Sequence, residues 1–199
     1  MTTEQPAVER RAVERIVLEA FGSLTGRRSA PLRYAIMDDT PVGLLGLAAG
    51  ERGLRHVSFV KGEDEFVERL LAEHGDVPVF RSAGLDNVRR ALDHYFAGRR
   101  LGFDLEVDLS DLPVFQHRVL DATARIRAGQ VATYTQVATR AGSPRASRAA
   151  GNALHNNPVA IVVPCHRVLR ADGSLGGYGG GLPIKEWLLE HEGARPRGL

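Results

Sequence analysis

The sequence predicts an α+β protein in two parts, a small sheet-and-helix unit followed by a mainly α part that contains a helix-turn-helix. Three observations carry this. From Arg33 the apolar residues fall into short alternating runs parted by Asp, Pro and Gly, the mark of strands and turns. Beyond Asp111-Leu-Pro113 the apolar spacing changes to the three- and four-residue period of helices. Further on, the apolar run Val159 to Val163 stops at Pro164, and Cys165, His166 and Arg167 follow at once.

Taken in order, residues 5–22 read as an amphipathic helix, with Val13, Ile16, Val17 and Ala20 on one side and Glu and Arg on the other. Gly22 to Pro31 reads as a linker, so residues 1–32 form an N-terminal extension. Residues 33–111 form the first unit. Tyr34–Met37, Val42–Leu47 and Leu54–Phe59 are its expected strands. Helices are expected over about 63–74, with Phe66, Leu70 and Leu71 inward, and about 86–97, with Val88, Leu92, Tyr95 and Phe96 inward. Phe103, Leu105, Val107 and Leu109 then alternate with Asp and Glu, as a half-buried strand would. No chemical constellation shows in this unit. His56, His74 and His94 stand singly along the chain, and packing or surface roles are expected of them.

Residues 112–199 form the second unit. Phe115, Val119, Ala122 and Ile126 recur at helical spacing, and Gly129 is expected to end that helix. A short helix spans about Thr135 to Arg140 and closes at Ala141-Gly142. Ser143 then suits an N-cap with Pro144 at the first helical position, opening a helix to about His155. These two helices read as helix-turn-helix. The second is small over most of its surface, with Ala146, Ser147, Ala149, Ala150 and Gly151 around Arg145 and Arg148. Small side chains serve a close approach to a nucleic-acid groove or tight packing in a core, and composition leaves both open. Asp172-Gly173 marks a turn. Gly176 to Gly181 is a glycine-rich loop, and a last helix opens near Pro183 and carries Lys185, Trp187 and Glu192.

Bulk properties narrow the class. With 199 residues, 43% hydrophobic and 25% charged, the chain is ordinary for a soluble protein of one large or two small domains. No run approaches the roughly 18 apolar residues of a membrane span, and Met1 to Gly22 is too charged for a signal peptide. A single cysteine excludes an internal disulfide and a multi-cysteine zinc site, and a thiol that must stay reduced suggests the cytoplasm. Charge is uneven. Residues 114–199 hold 11 Lys/Arg against 5 Asp/Glu (+6), and residues 1–113 hold 15 against 19 (−4), so the basic half is where a nucleic acid would be met.

The lone thiol sits beside His166 and Arg167, where positive charge favours the thiolate. Free cysteines are often simply buried, but the Pro-Cys-His-Arg run and the glycine loop after it favour a nucleophile. Pro164-Cys165-His166-Arg167-Val168, Tyr178 in the glycine loop and Lys185-Glu186-Trp187-Leu188-Leu189, in that order and spacing, resemble the active-site region of the O6-alkylguanine-DNA alkyltransferases. The resemblance is strong from about Phe115 to Gly193 and weaker upstream.

The resemblance implies a ribonuclease-H-like first unit and double-stranded DNA bearing O6-alkylguanine as partner. It implies a base flipped out of the stack for repair, and Cys165 as the nucleophile that keeps the alkyl group. His166 is then the base, acting through a water and oriented by Glu192. Tyr134 assists the departing guanine, Asn157 orders the turn around the thiol, and Lys185 supports the leaving group or the loop. Cys165, Val168 and Gly179 offer backbone to the guanine edge, with Gly180 also in the substrate pocket and Tyr178 as a wall. Arg145, Ser147, Arg148 and Ala149 face the DNA with Thr135 and Arg167, and Arg148 takes the place of the flipped base. No cofactor and no metal is expected, and a thioether with nothing to remove it makes the reaction stoichiometric. The protein is expected to act as a monomer, with cooperative assembly on DNA and repair of O4-alkylthymine left open. Three departures bear on substrate and DNA fit: Gly179 where some relatives have serine, Ser147 in place of a common alanine, and Arg118-Val-Leu120 without the tryptophan often found there. A thiol hydrolase using Cys165 and His166, or a DNA-binding protein without catalysis, are the competing readings. Covalent alkyl transfer separates all three.

Overall fold

The computed structural model describes residues 31–75, 77–82 and 84–194, and the expected N-terminal helix lies outside them. Strands β1 (Leu32–Met37), β2 (Leu45–Gly50) and β3 (Gly53–Phe59) form an antiparallel meander. Strand β4 (Val79–Arg81) adds parallel to β1, giving the order β3-β2-β1-β4. Gly53 turns the β2–β3 hairpin at φ 127°, and a Cβ there would stand 2.4 Å from the Glu106 carbonyl oxygen. Only glycine allows that approach.

Helix α1 (Glu63–His74) opens on Glu63, Asp64 and Glu65, which suit the positive end of a helix dipole. It lays Phe66 and Leu70 on one face of the sheet against Ala48, with the Phe66 ring seated over Gly46. Helix α2 (Asp86–Phe96) contributes Val88, Leu92 and Tyr95 to the main core, which Leu45, Leu47 and Ala49 share. That core runs on without a break into Val119, Leu120, Val137, Ile161 and Leu188 of the second unit. Each fully buried side chain of this size contributes about 1.5–3 kcal/mol, so the two units hold each other by the same force that holds each together.

The second unit comprises α3 (Val114–Ala124), β5 (Ala132–Thr133), α4 (Tyr134–Arg140), α5 (Ser147–His155), β6 (Val168–Leu169) and α6 (Leu182–His191). Thr133 caps α4 with a reciprocal pair: its hydroxyl accepts from the Gln136 N–H, and the Gln136 side chain accepts from the Thr133 N–H. The helix ends in a Schellman motif, with Gly142 at φ 77° and Ser143 N–H returning to the Ala138 carbonyl. This closure turns the chain tightly toward α5.

The α+β architecture agrees with the sequence, with six local differences. The second strand starts at Leu45, because Pro41 and Val42 lie in a turn that Gly43 N–H closes on the Thr40 carbonyl. Leu71 is 47% exposed, since only one of two adjacent helix positions can face the sheet. The alternating run 103–109 is half-buried as expected, yet it forms one bridge rather than a strand, Val107 against Leu54. Helix α3 stops at Ala124, short of the turn that holds Gly129, and α5 starts at Ser147 because Pro144 and Arg145 form a turn closed by Ala146 N–H on the Ser143 carbonyl. Strand β4 gives no separate pattern in its three residues.

Edge strand β3 is covered twice. Leu54 exchanges hydrogen bonds with Glu106 and Asp108, and Val57 with Pro158 and Ala160, at 2.8–2.9 Å. Covering the edge blocks pairing with another chain. It also hangs the segment before Pro164 on the sheet of the first unit.

Candidate active site

Cys165 is placed by tight turns. Val162 N–H bonds to the Ala160 carbonyl across Ile161, which is fully buried at φ 70°. Cys165 N–H bonds to the Val163 carbonyl across Pro164, at φ −82° and ψ 64°. Both are three-residue γ-turns, and the first is the strained form, held here by packing around Ile161. A 3-10 turn over Cys165–Arg167 then passes directly into β6. Because β6 pairs parallel with β5, which leads directly into Tyr134, the ladder brings the tyrosine to the thiol. Asn157 fastens the loop: Nδ2 donates to the Val163 carbonyl at 2.9 Å and lies 3.2 Å from Sγ of Cys165, while Oδ1 accepts from Val159 N–H.

The 3-10 turn directs His166 and Arg167 inward, where both meet Glu192. Arg167 forks onto the carboxylate, Nε to Oε2 and Nη2 to Oε1, each at 2.7 Å. His166 Nε2 lies 3.0 Å from Oε1, and the Tyr95 hydroxyl donates to the same oxygen at 2.8 Å. Burial alone would raise the Glu192 carboxyl, but the bonds from His166 and Arg167 outweigh it and hold it at about 2. An ionised carboxylate only accepts, so Nε2 of His166 carries its proton and Nδ1 holds a free lone pair. That Nδ1 is buried with no protein partner.

Burial pushes the Cys165 thiol up, against the opposing bond from Asn157, and pushes His166 down, against the opposing pull of Glu192. Burial thus outweighs the positive charge that the neighbouring sequence offers a thiolate. The guanidinium beside Cys165 in sequence is spent on Glu192, so the resting pair is a neutral thiol and a neutral imidazole. Arg167 is corrected for the same reason. Expected to touch DNA, it is 5% exposed and bound on every side, its Nη1 reaching the Ile126 carbonyl.

The remaining site residues divide by position. Lys185 is buried and donates to the carbonyls of Val168 and Leu175, so it ties β6 to the start of the glycine loop. Burial lowers its ammonium to about 8. Val168 N–H is taken by the Cys165 carbonyl. Tyr178 packs edge-on to His166 and to Phe59 of β3, and its hydroxyl is buried without a partner. Gly180 lies under Phe59, where a Cβ would stand 2.9 Å from the ring, and Gly179 is open. Thr135, Arg148 and Ala149 lie exposed on the helix pair and Arg145 on the turn between them, with Ser147 partly exposed. Tyr95 is the residue sequence reading missed as part of the site. An inward tyrosine at helical spacing looks like core, and its only signal was a hydroxyl that needs a partner when buried.

The chain matches known proteins along most of its length. Residues 32–109 match the family described as 6-O-methylguanine DNA methyltransferase, ribonuclease-like domain, and residues 114–194 match the DNA binding domain of the same name. A methylated-DNA–protein-cysteine methyltransferase of Methanosarcina acetivorans is 42% identical over 162 residues, which is 81% of this chain and 98% of that one. The protein of that name from Rattus norvegicus is 35% identical over 173 residues, 81% of this chain and 82% of its own. Among solved structures, Mycobacterium tuberculosis OGT in complex with DNA superposes with a TM-score of 0.69 at 36% identity, covering 81% of this chain and 92% of that one. Fold, thiol and matches together define a class: DNA-repair enzymes that bind DNA and accept an alkyl group on cysteine. The chain belongs to the O6-alkylguanine-DNA alkyltransferase family.

Proposed function

We propose that this protein repairs O6-alkylguanine in duplex DNA by moving the alkyl group to Cys165, once per molecule. The observation that carries the reading is the free Nδ1 lone pair of His166, the residue next to a partly exposed thiol, with Nε2 fixed on Glu192. A water between Sγ and Nδ1 passes the thiol proton to the imidazole, and Glu192 stabilises the imidazolium that forms. The thiolate attacks the alkyl carbon in line. A carbon–sulfur bond forms as the carbon–oxygen bond to the guanine breaks, and the Tyr134 hydroxyl donates to the purine that departs. The thioether remains, which ends the molecule's activity. No cofactor enters this sequence.

A base inside the stack cannot present its alkyl carbon to a recessed thiol, so the nucleotide is flipped out. Arg148 on α5 occupies the gap it leaves, and Ala149 and Ser147 let the helix approach the groove. Arg145 and Thr135 meet the phosphates. One molecule suffices for one lesion, so a monomer acts. A lone thiol that must stay reduced fits the cytoplasm. The same attack suits O4-alkylthymine, which is the second substrate to test.

Intact mass after incubation with a duplex containing O6-methylguanine tests the reading. One methyl group gained per chain, halting at one equivalent and absent in Cys165→Ala, is the expected result. Bound duplex with unchanged mass would show instead a lesion-binding protein without transfer.

A further inference from the structure

His56 and His74, expected to stand singly, meet in the structure. His56 lies on β3, 3% exposed, and His74 ends α1, 18 positions further along the sequence. Their Nε2 atoms are 2.7 Å apart with the rings nearly perpendicular at 82°. Glu73 brings a carboxylate oxygen to 3.8 Å from the other nitrogen of His56. One nitrogen of each histidine and one oxygen of Glu73 fall within 4.8 Å of one another, the one such group among the described residues. The group borders a cleft of about 270 Å³ shared with Asp108, Leu109 and Pro158.

We propose that His56, His74 and Glu73 form a binding site for a divalent transition-metal cation of the zinc class, closed by water from the cleft. Two imidazoles and a carboxylate are the donor set such cations take, and a softer thiolate is not needed. Without metal, two nitrogens at 2.7 Å share one proton. A tetrahedral cation with Zn–N of about 2.0–2.1 Å sets its nitrogens roughly 3.4 Å apart, so the rings part by well under 1 Å. The parting falls to His74, because His56 is locked under Phe66 while His74 sits at the last turn of its helix. The proton between the rings leaves Nε2 of its histidine, and Nδ1 of that ring takes one from solvent, so both imidazoles bind neutral.

The surrounding charges permit a cation. Arg55 borders the same cleft but is paired with Asp108 and Asp111, and Arg69 is paired with Glu65 at 2.8 Å. Bound metal would join α1 to β3, which the sheet alone does not do. The neighbouring Val57 carries the hydrogen bonds to Pro158 and Ala160, ahead of the nucleophile loop. The site is separate from Cys165 and stands whether or not alkyl transfer is the function.

The test is a cobalt(II) and zinc(II) titration of chelator-treated full-length protein. Expected are one equivalent of cobalt with ligand-field bands, no sulfur-to-cobalt charge-transfer band, and a melting temperature that rises with zinc. His74→Ala should abolish uptake, Glu73→Gln should weaken it by about tenfold, and His94→Ala should leave it intact. His74 is chosen over the buried His56 because its removal leaves the sheet packed, and an unchanged metal-free melt checks this. Absence of saturable uptake, uptake that survives His74→Ala, or a charge-transfer band that places the metal on Cys165 would each overturn the site.

Discussion

Four donors from two places in the chain converge on one carboxylate. His166 and Arg167 approach Glu192 from the 3-10 turn at Cys165, and Tyr95 approaches from α2 of the first unit. Three of them share Oε1, so the imidazole competes for that oxygen and its orientation depends on where the others hold it. The Tyr95 bond is charge-assisted and buried, worth about 1.5–3 kcal/mol. Tyr95→Phe keeps the ring packed against Phe103 and removes only this donor. Single-turnover transfer should slow by about tenfold, and its pH profile should move because the carboxylate that supports the imidazolium has changed. A variant that transfers at the parent rate with an unmoved profile would reduce Tyr95 to packing.

At the scale of elements, the glycine-rich loop is a fitted surface. Gly176 adopts φ 66°, and a Cβ there would stand 2.8 Å from the Tyr134 hydroxyl. Gly176→Ala should therefore cost about 1–2 kcal/mol in denaturant melts through the backbone alone, and slow transfer through the displaced phenol. Gly177, with open space and no positive φ, is the comparison, and Gly177→Ala should stay within about 0.5 kcal/mol of the parent.

Most elements were legible because their patterns are local. The period of α1 to α3, the glycine after α4 and the order of the glycine loop and α6 all show in short windows of sequence. What was not legible depends on contacts made far along the chain. Arg167 sits two residues after the lone thiol in sequence, but the 3-10 turn points it at Glu192, 25 residues on. His56 and His74 share no local pattern, since they meet only when α1 folds back over β3. The run at 103–109 alternates like a strand, but an edge already half-taken by residues 158–160 leaves it one bridge. In the site, the thiol stood out from its own neighbours in sequence, and the carboxylate was read from resemblance. The neutral resting state of thiol and imidazole follows from burial, which sequence adjacency does not report.

For the molecule as a whole, Glu192 is also a fastening between units, and its titration is a stability statement. Its carboxyl stands at about 2 in the folded chain against an ordinary 4.5. The unfolded chain takes up the proton first, so this stabilisation is complete above pH 4.5 and is lost as pH falls toward about 2. Melting temperature should drop steeply through that window in the parent and less steeply in Glu192→Gln. Equal slopes would show that the carboxylate is not the fastening.

The bonds that cross from β3 and α2 have a meaning for how such a chain can be rearranged. A fragment beginning at Val114 would keep the thiol, the imidazole, the carboxylate and both helices of the helix-turn-helix. It would lose the phenol on Glu192 and the two main-chain bonds that hold the approach to Pro164 against Val57. Grafting that half onto another sheet succeeds only where the new partner restores a hydroxyl at one point and an open strand edge along one line. The halves of this chain are therefore parts to be exchanged as a matched set, and a chimaera joined at residue 113 inherits the reagents without the clamp that aims them.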